Sequence, residues 1–264
     1  MKAFIQKLAV WLKVLIYFLI MWLATVIAGI VPALNGLFYF FAVSLLISWF
    51  LLRNDNLGLS SLGYYPQARR HWMQLLFGLI LGCLMLIITA IITLALTKAE
   101  WYFNTRIDPI YILITFLMCT CSTYIREFVF RGYPFQALLK KYGAQVAQLA
   151  IVVPFGLMHV NRSMSLQDAG TVILTTGLGS ILFGLAYIKT KNLMLPTGIH
   201  TGWNFLQALI PRTSGAGPKT LITVSGGQPG YGSATILLPY LVIVSIAILL
   251  LLFINVPGQR DTKK

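Results

Sequence analysis

From near residue 9 to near residue 255 the chain is a succession of apolar runs separated by short polar or basic links. A helix needs about 20 mainly apolar residues, with a range of roughly 17–25, to cross the hydrocarbon core of a bilayer. Runs of that length fall at 9–31, 36–52, 72–97, 109–131, 145–160, 169–188, 193–210 and 235–255. The spacing predicts an all-α membrane protein, a polytopic bundle of about eight transmembrane helices. It predicts one transmembrane domain over 1–264, with a polar, motif-bearing core at 110–210. The segment 132–142 mixes Phe135, Leu138 and Leu139 with Gln136, Lys140 and Lys141. It is expected to extend the fourth helix or to bend along the interface as a short amphipathic helix.

Charge agrees with this reading. Only 10% of residues are charged and the formal net charge is +14, against about 25% charged in an ordinary soluble domain. In a soluble protein such a positive excess would suggest nucleic acid. Here the basic residues flank the apolar runs, so the implied partner is the lipid bilayer, with no nucleic acid. With the N-terminus inside, thirteen of the 20 Lys and Arg fall on the cytoplasmic side and five outside. That bias predicts cytoplasmic N- and C-termini. The N-terminal run exceeds a signal-peptide core and is read as an uncleaved first span. Cys83, Cys119 and Cys121 lie inside apolar runs and read as small buried hydrophobes. The Gly- and Ser-rich segment 211–234 reads as an outer linker or a lid.

Against this apolar background Arg126-Glu127-Phe128-Val129-Phe130-Arg131-Gly132 stands out. A charged side chain at bilayer depth costs roughly 2.5–3.5 kcal/mol on insertion scales and usually marks a functional site. Two histidines join it: His159 at the end of the fifth run, and His200, with Asn204 four residues later, in the seventh. Glu127 and His159 are each sixteen residues from Gly143, so a hairpin turning there sets both about 24 Å along their arms. His200 and Asn204 share a helix face, as do Glu127 and Arg131. A carboxylate and an imidazole can position a water and take its proton. A histidine and an asparagine can donate hydrogen bonds to a developing oxyanion. Glu127, His159 and His200 could also hold a divalent metal such as zinc, although no HExxH pattern is present. The structural alternatives are an ion pair for Glu127 and Arg131, a helix cap for His159, and interhelical bonding for His200 and Asn204.

On these residues the chain resembles the CPBP family of intramembrane proteases, which includes type II CAAX prenyl endopeptidases and relatives linked to bacteriocin processing and immunity. The family pattern is E-E-x-x-x-R, often continuing F-R-G, then F-x-x-x-H, then H-x-x-x-N. Glu127, Phe130, Arg131 and Gly132 match the first motif, Phe155 and His159 the second, His200 and Asn204 the third. The first glutamate of the pair, regarded in the family as the water activator, is Arg126 here. The resemblance implies hydrolysis of a membrane-associated or prenylated peptide in a bacterial plasma membrane. Glu127 and His159 would activate water, His200 and Asn204 would form the oxyanion hole, and Arg131 and Arg126 would support them. The competing readings are a non-catalytic relative acting in bacteriocin immunity or as a membrane scaffold, and a small proton-coupled carrier.

Overall fold

Local signals set the helix boundaries. The computed structural model describes residues 2–161, 163–212, 220–226 and 233–257. Among these, α1 (Lys2–Lys7) precedes α2 (Val10–Ile30), α3 (Leu37–Asn54), α4 (Arg69–Thr97) and α5 (Pro109–Arg131). Then follow α6 (Tyr133–Leu157), α7 (Leu166–Thr190), α8 (Met194–Leu209) and α9 (Ser233–Phe253). Helices α2 to α9 occupy the eight expected runs. Helix α2 stops where Val31, preceding Pro32, takes extended angles of φ −113° and ψ 95°, because a residue before proline disfavours the helical region. Helix α5 opens at Pro109, where Asp108 Oδ1 accepts from the backbone N–H groups of Ile110 and Tyr111 at 2.9 and 3.2 Å; both devices favour a helix start. Ser165 caps α7 through Asp168 N at 3.1 Å.

The burial pattern is that of a protein solvated by lipid. Large apolar side chains such as Trp22, Ile30, Leu174 and Phe253 are exposed, while Lys13, Ser44, Ser48, Glu127, Arg131 and His200 are buried. Six helical stretches among the described residues are long and apolar enough to cross a membrane, the stretch from Pro109 to Leu157 being the longest. The chain is an integral membrane protein. Helix α8 has 16 residues, about 24 Å of rise, and falls short of a full crossing by itself.

The segment after the fourth run does not simply extend the fourth helix: it opens a separate helix, α6, after a break. The helical path from Pro109 to Leu157 is interrupted at Gly132, where ψ is −125°, and reverses at Gly143, where φ is 83° and ψ is 178°. Those angles at Gly143 are essentially restricted to glycine. Tyr133, Pro134, Phe135 and Leu138 are buried, while Lys140, Lys141 and Tyr142 are exposed, so 133–142 is packed at its start and open at its end.

One feature departs from the helical expectation. Residues Ala99–Phe103 (β1) and Ile222–Gly226 (β2) pair antiparallel, Trp101 opposite Val224. Part of the segment read as linker or lid is therefore a strand, held by Ile222 and Val224, which are buried. No apolar run marked it, because a five-residue strand in a polar loop carries too little periodicity. Of that linker or lid, 213–219 and 227–232 lie outside the described residues.

Two compact units share the chain. The first combines the residues up to Ala68 with Tyr124–Leu193; the second combines Arg69–Thr123 with the residues from Met194 onward. Helix α5 contributes to both.

Candidate active site

In the first unit, the last turns of α5 present Glu127 and Arg131, both completely buried. Arg131 Nε lies 3.5 Å from Glu127 Oε2. That is an ion pair, but longer than the roughly 2.7–2.9 Å of a good charge-assisted hydrogen bond. The guanidinium is fixed from the other side by α7: Nη2 donates to Ser180 O at 2.9 Å and to Ser180 Oγ at 2.7 Å. Two rings close over it, Phe155 at 4.5 Å and Phe183 at 5.4 Å from the guanidinium carbon. Cation–π contacts of this kind strengthen when desolvated. Arg131 is thus held rigidly, and it in turn fixes where its partner carboxylate can sit.

The same rings reach His159. Phe155 contacts Phe130 at 5.0 Å and His159 at 5.1 Å between ring centroids. Arg131 and Phe155 are each twelve residues from Gly143, so their contact is the one that hairpin counting requires. Glu127 and His159 stand one turn further along the two arms. His159 follows the end of α6, and its ring turns back so that Nδ1 lies 2.9 Å from Phe155 O. A carbonyl can only accept, so Nδ1 carries the proton and Nε2 is the basic nitrogen. The histidine caps its helix, as one sequence alternative held, and the cap selects the tautomer that a base needs. Arg126 is half-buried.

In the second unit, α8 is buried from Met194 to Gly202, with His200 among its buried residues and Asn204 half-buried one turn on. What holds α8 is its close approach to α4. A Cβ on Gly78 would lie 2.5 Å from Leu195 O, and one on Gly82 2.1 Å from Ile199 O. From the other side, a Cβ on Gly198 would meet Leu75 O at 2.2 Å, and on Gly202 Leu79 O at 2.2 Å. Gly78 and Gly82 on one helix, and Gly198 and Gly202 on the other, form two facing small-xxx-small pairs of the type that lets membrane helices touch backbone to backbone. Thr201, beside His200, bonds Thr123 of α5 through their hydroxyls at 2.6 Å. His200 is therefore positioned by glycines on two helices and a threonine pair.

Several positioning residues carried no catalytic signal in the sequence. Ser180 and Phe183 read as ordinary helix residues. The small-xxx-small spacing on α4 and α8 was readable, but nothing in it told which helix each pair would meet.

Of the side chains that could hold a divalent metal, Glu127 is paired with Arg131, and His159 turns Nδ1 to Phe155 O, which leaves Nε2 as its donor atom. Among the described residues no three His, Cys, Asp or Glu side chains gather as a metal centre would require.

Residues 107–206 match the family described as Rce1-like, type II CAAX prenyl endopeptidase Rce1-like. That match supports the resemblance of these motifs to the CPBP intramembrane proteases. The match runs from just before α5 into α8, so all three motifs fall inside it. It covers fewer than half of the residues, and it carries the general character of a CAAX-type intramembrane protease acting in the bilayer. No curated protein and no solved structure matches the chain.

Proposed function

We propose that the chain is an intramembrane endopeptidase that hydrolyses a peptide bond in a membrane-associated or prenylated peptide. Glu127 and His159 Nε2 position a water and take its proton; His200 and Asn204 donate to the oxyanion of the tetrahedral intermediate. The observation that carries this reading is the connected set Glu127, Arg131, Phe155 and His159, with His159 held as the Nδ1–H tautomer. The reading requires the chain to work as a single transmembrane domain. General-base assistance is typically worth about 10²–10⁴-fold in rate, and one oxyanion donor about 10²–10³-fold.

A second reading has its own observation. Arg126 stands where the family has its water-activating glutamate, and Glu127 is fully buried with an arginine as partner. These favour a non-catalytic relative, a bacteriocin-immunity or scaffold protein. Cleavage of farnesylated and unmodified peptides by the purified protein separates the two. Cleavage that falls by about 10²–10⁴-fold in Glu127→Gln and His159→Ala supports the peptidase. No cleavage by the native chain, with cleavage appearing in Arg126→Glu, assigns it to the second class.

We further propose that both termini face the cytoplasm of a bacterial plasma membrane. Reporter fusions after Lys141 and Lys191 should then read cytoplasmic and one at Arg106 external; the opposite reading at two of these points would discard the topology.

A further inference from the structure

The first unit contains a polar seam that the proposed chemistry leaves unused. At one end Lys13 of α2 and Asp55, just after α3, form an ion pair at 2.8 Å. Lys13 is 4% exposed and Asp55 33%, so the pair stands between the interior and the solvent. One turn into α2 from Lys13 comes Tyr17, and two turns into α3 from Asp55 comes Ser48, followed by Ser44; all three are completely buried. Tyr17 stacks against Tyr133 of α6, ring centroids 6.4 Å apart. The polar groups therefore converge from three helices on one line. From Asp55 to Ser44 it spans eleven residues of helix, about 16 Å.

The hydroxyls on this line make no close hydrogen bond with one another. Tyr17 Oη, Ser48 Oγ and Tyr133 Oη have no hydrogen-bond partner among the described residues. Ser44 and Ser48 lie close to the Tyr17 hydroxyl, but Ser44 spends its proton on Phe41 O at 2.9 Å. One buried hydroxyl without a close partner is an exception in a folded protein; three along one seam mark a place for water, since buried water typically makes about three hydrogen bonds to such groups. At the inner end Phe41 packs on Phe128 at 5.3 Å, and Phe128 is the neighbour of Glu127.

We propose that this seam is a water track, running from the Lys13–Asp55 pair past Tyr17, Tyr133 and Ser48 toward the part of α5 that carries Glu127. A hydrolase embedded in lipid needs one water per bond cleaved, and this seam supplies it; that use rests on the peptidase reading, whereas the binding of water does not. Lys13 and Asp55 hold the solvent end open by keeping charge at its mouth.

The test is radiolytic hydroxyl-radical labelling of the full-length protein in lipid nanodiscs, read residue by residue by mass spectrometry. Radicals generated from bound water oxidise the side chains beside it. Tyr17 and Tyr133, though buried, are expected to label at rates near that of the exposed Tyr65, and far above the equally buried Phe135. Rates for both tyrosines as low as that of Phe135 would overturn the proposal. Thermal unfolding gives a second measure. Tyr17→Phe removes a hydroxyl that bound water satisfies, so Tm should fall, by about 2–4 °C if the loss resembles an ordinary hydrogen bond. A dry seam predicts an unchanged or higher Tm for the same variant. Labelling requires no cleavage. Protein that labels but cleaves nothing sinks the peptidase and keeps the track; protein that cleaves without labelling does the reverse.

Discussion

Replacing Gly202 by alanine tests whether backbone contact between α4 and α8 is what places His200. The added Cβ would lie 2.2 Å from Leu79 O, 2.9 Å from Cys83 N and 3.0 Å from Leu79 C. All three are backbone atoms, so no side chain can swing aside. Ordinary van der Waals contact begins near 3.4 Å, so the helices must separate locally by about 1 Å. Overpacking of this kind typically costs about 1–3 kcal/mol, and each kcal/mol lowers Tm by about 2–4 °C in a protein of 150–250 residues. The weak bond from Cys83 Sγ to Gly202 O, 3.6 Å, is disturbed as well.

The consequence for His200 follows from its position two residues away on the same helix. A shift of about 1 Å in a catalytic group can cost on the order of 10²-fold in rate. Gly202→Ala should therefore unfold several degrees below the native protein in detergent and lose most of any peptidase activity. Gly29→Ala is the control, because no atom lies within 4 Å of the Cβ it would add. That variant should be neutral or gain up to about 1 kcal/mol from helix propensity. If Gly202→Ala and Gly29→Ala unfold at the same temperature, the close crossing is not what holds α8.

Two further outcomes follow from other contacts. Ser180→Ala removes the Oγ acceptor 2.7 Å from Arg131 Nη2 and leaves only the carbonyl; a hydrogen bond to a charged group is worth about 1.5–3 kcal/mol, so Tm should fall measurably, whereas Ser180→Thr should retain it. Gly143→Ala meets no neighbour within 4 Å, so any loss comes from the backbone alone; holding alanine at φ 83° and ψ 178° should cost about 1–3 kcal/mol in the same unfolding assay, and no loss would mean that the turn relaxes freely.

The lengths of the apolar runs were enough to place eight helices, because in lipid the limits of hydrophobicity and the limits of helix coincide. Counting from Gly143 also gave the hairpin register that sets Arg131 against Phe155, since one positive-φ glycine fixes the turn and helical rise does the rest. The β1–β2 pairing stayed hidden because its partners are more than a hundred residues apart and neither alternates strongly. The support of Arg131 by Ser180 was equally hidden. Its signal is a serine among small residues on α7, and only the packing of α7 against α6 turns it inward. Buried charge was legible as an anomaly; the residues that stabilise it were not, because they look like any other helix interior.

The face of α5 explains what Arg126 can do. Thr123, Glu127 and Arg131 are four residues apart and all completely buried, which defines one polar stripe along the helix. Arg126 is turned by about 100° from Glu127 and is half-buried on the flank. A glutamate at position 126 would leave the stripe intact and add a second carboxylate at its side, the arrangement of the family motif. Arg126→Glu should therefore fold like the native protein and cleave faster, by as much as the ~10²–10⁴-fold of general-base assistance. A native chain that already cleaves, and whose rate Glu127→Gln lowers, makes Glu127 the base. Cleavage that appears only in Arg126→Glu makes Glu127 a structural partner of Arg131, and the native chain then keeps the fold without the reaction.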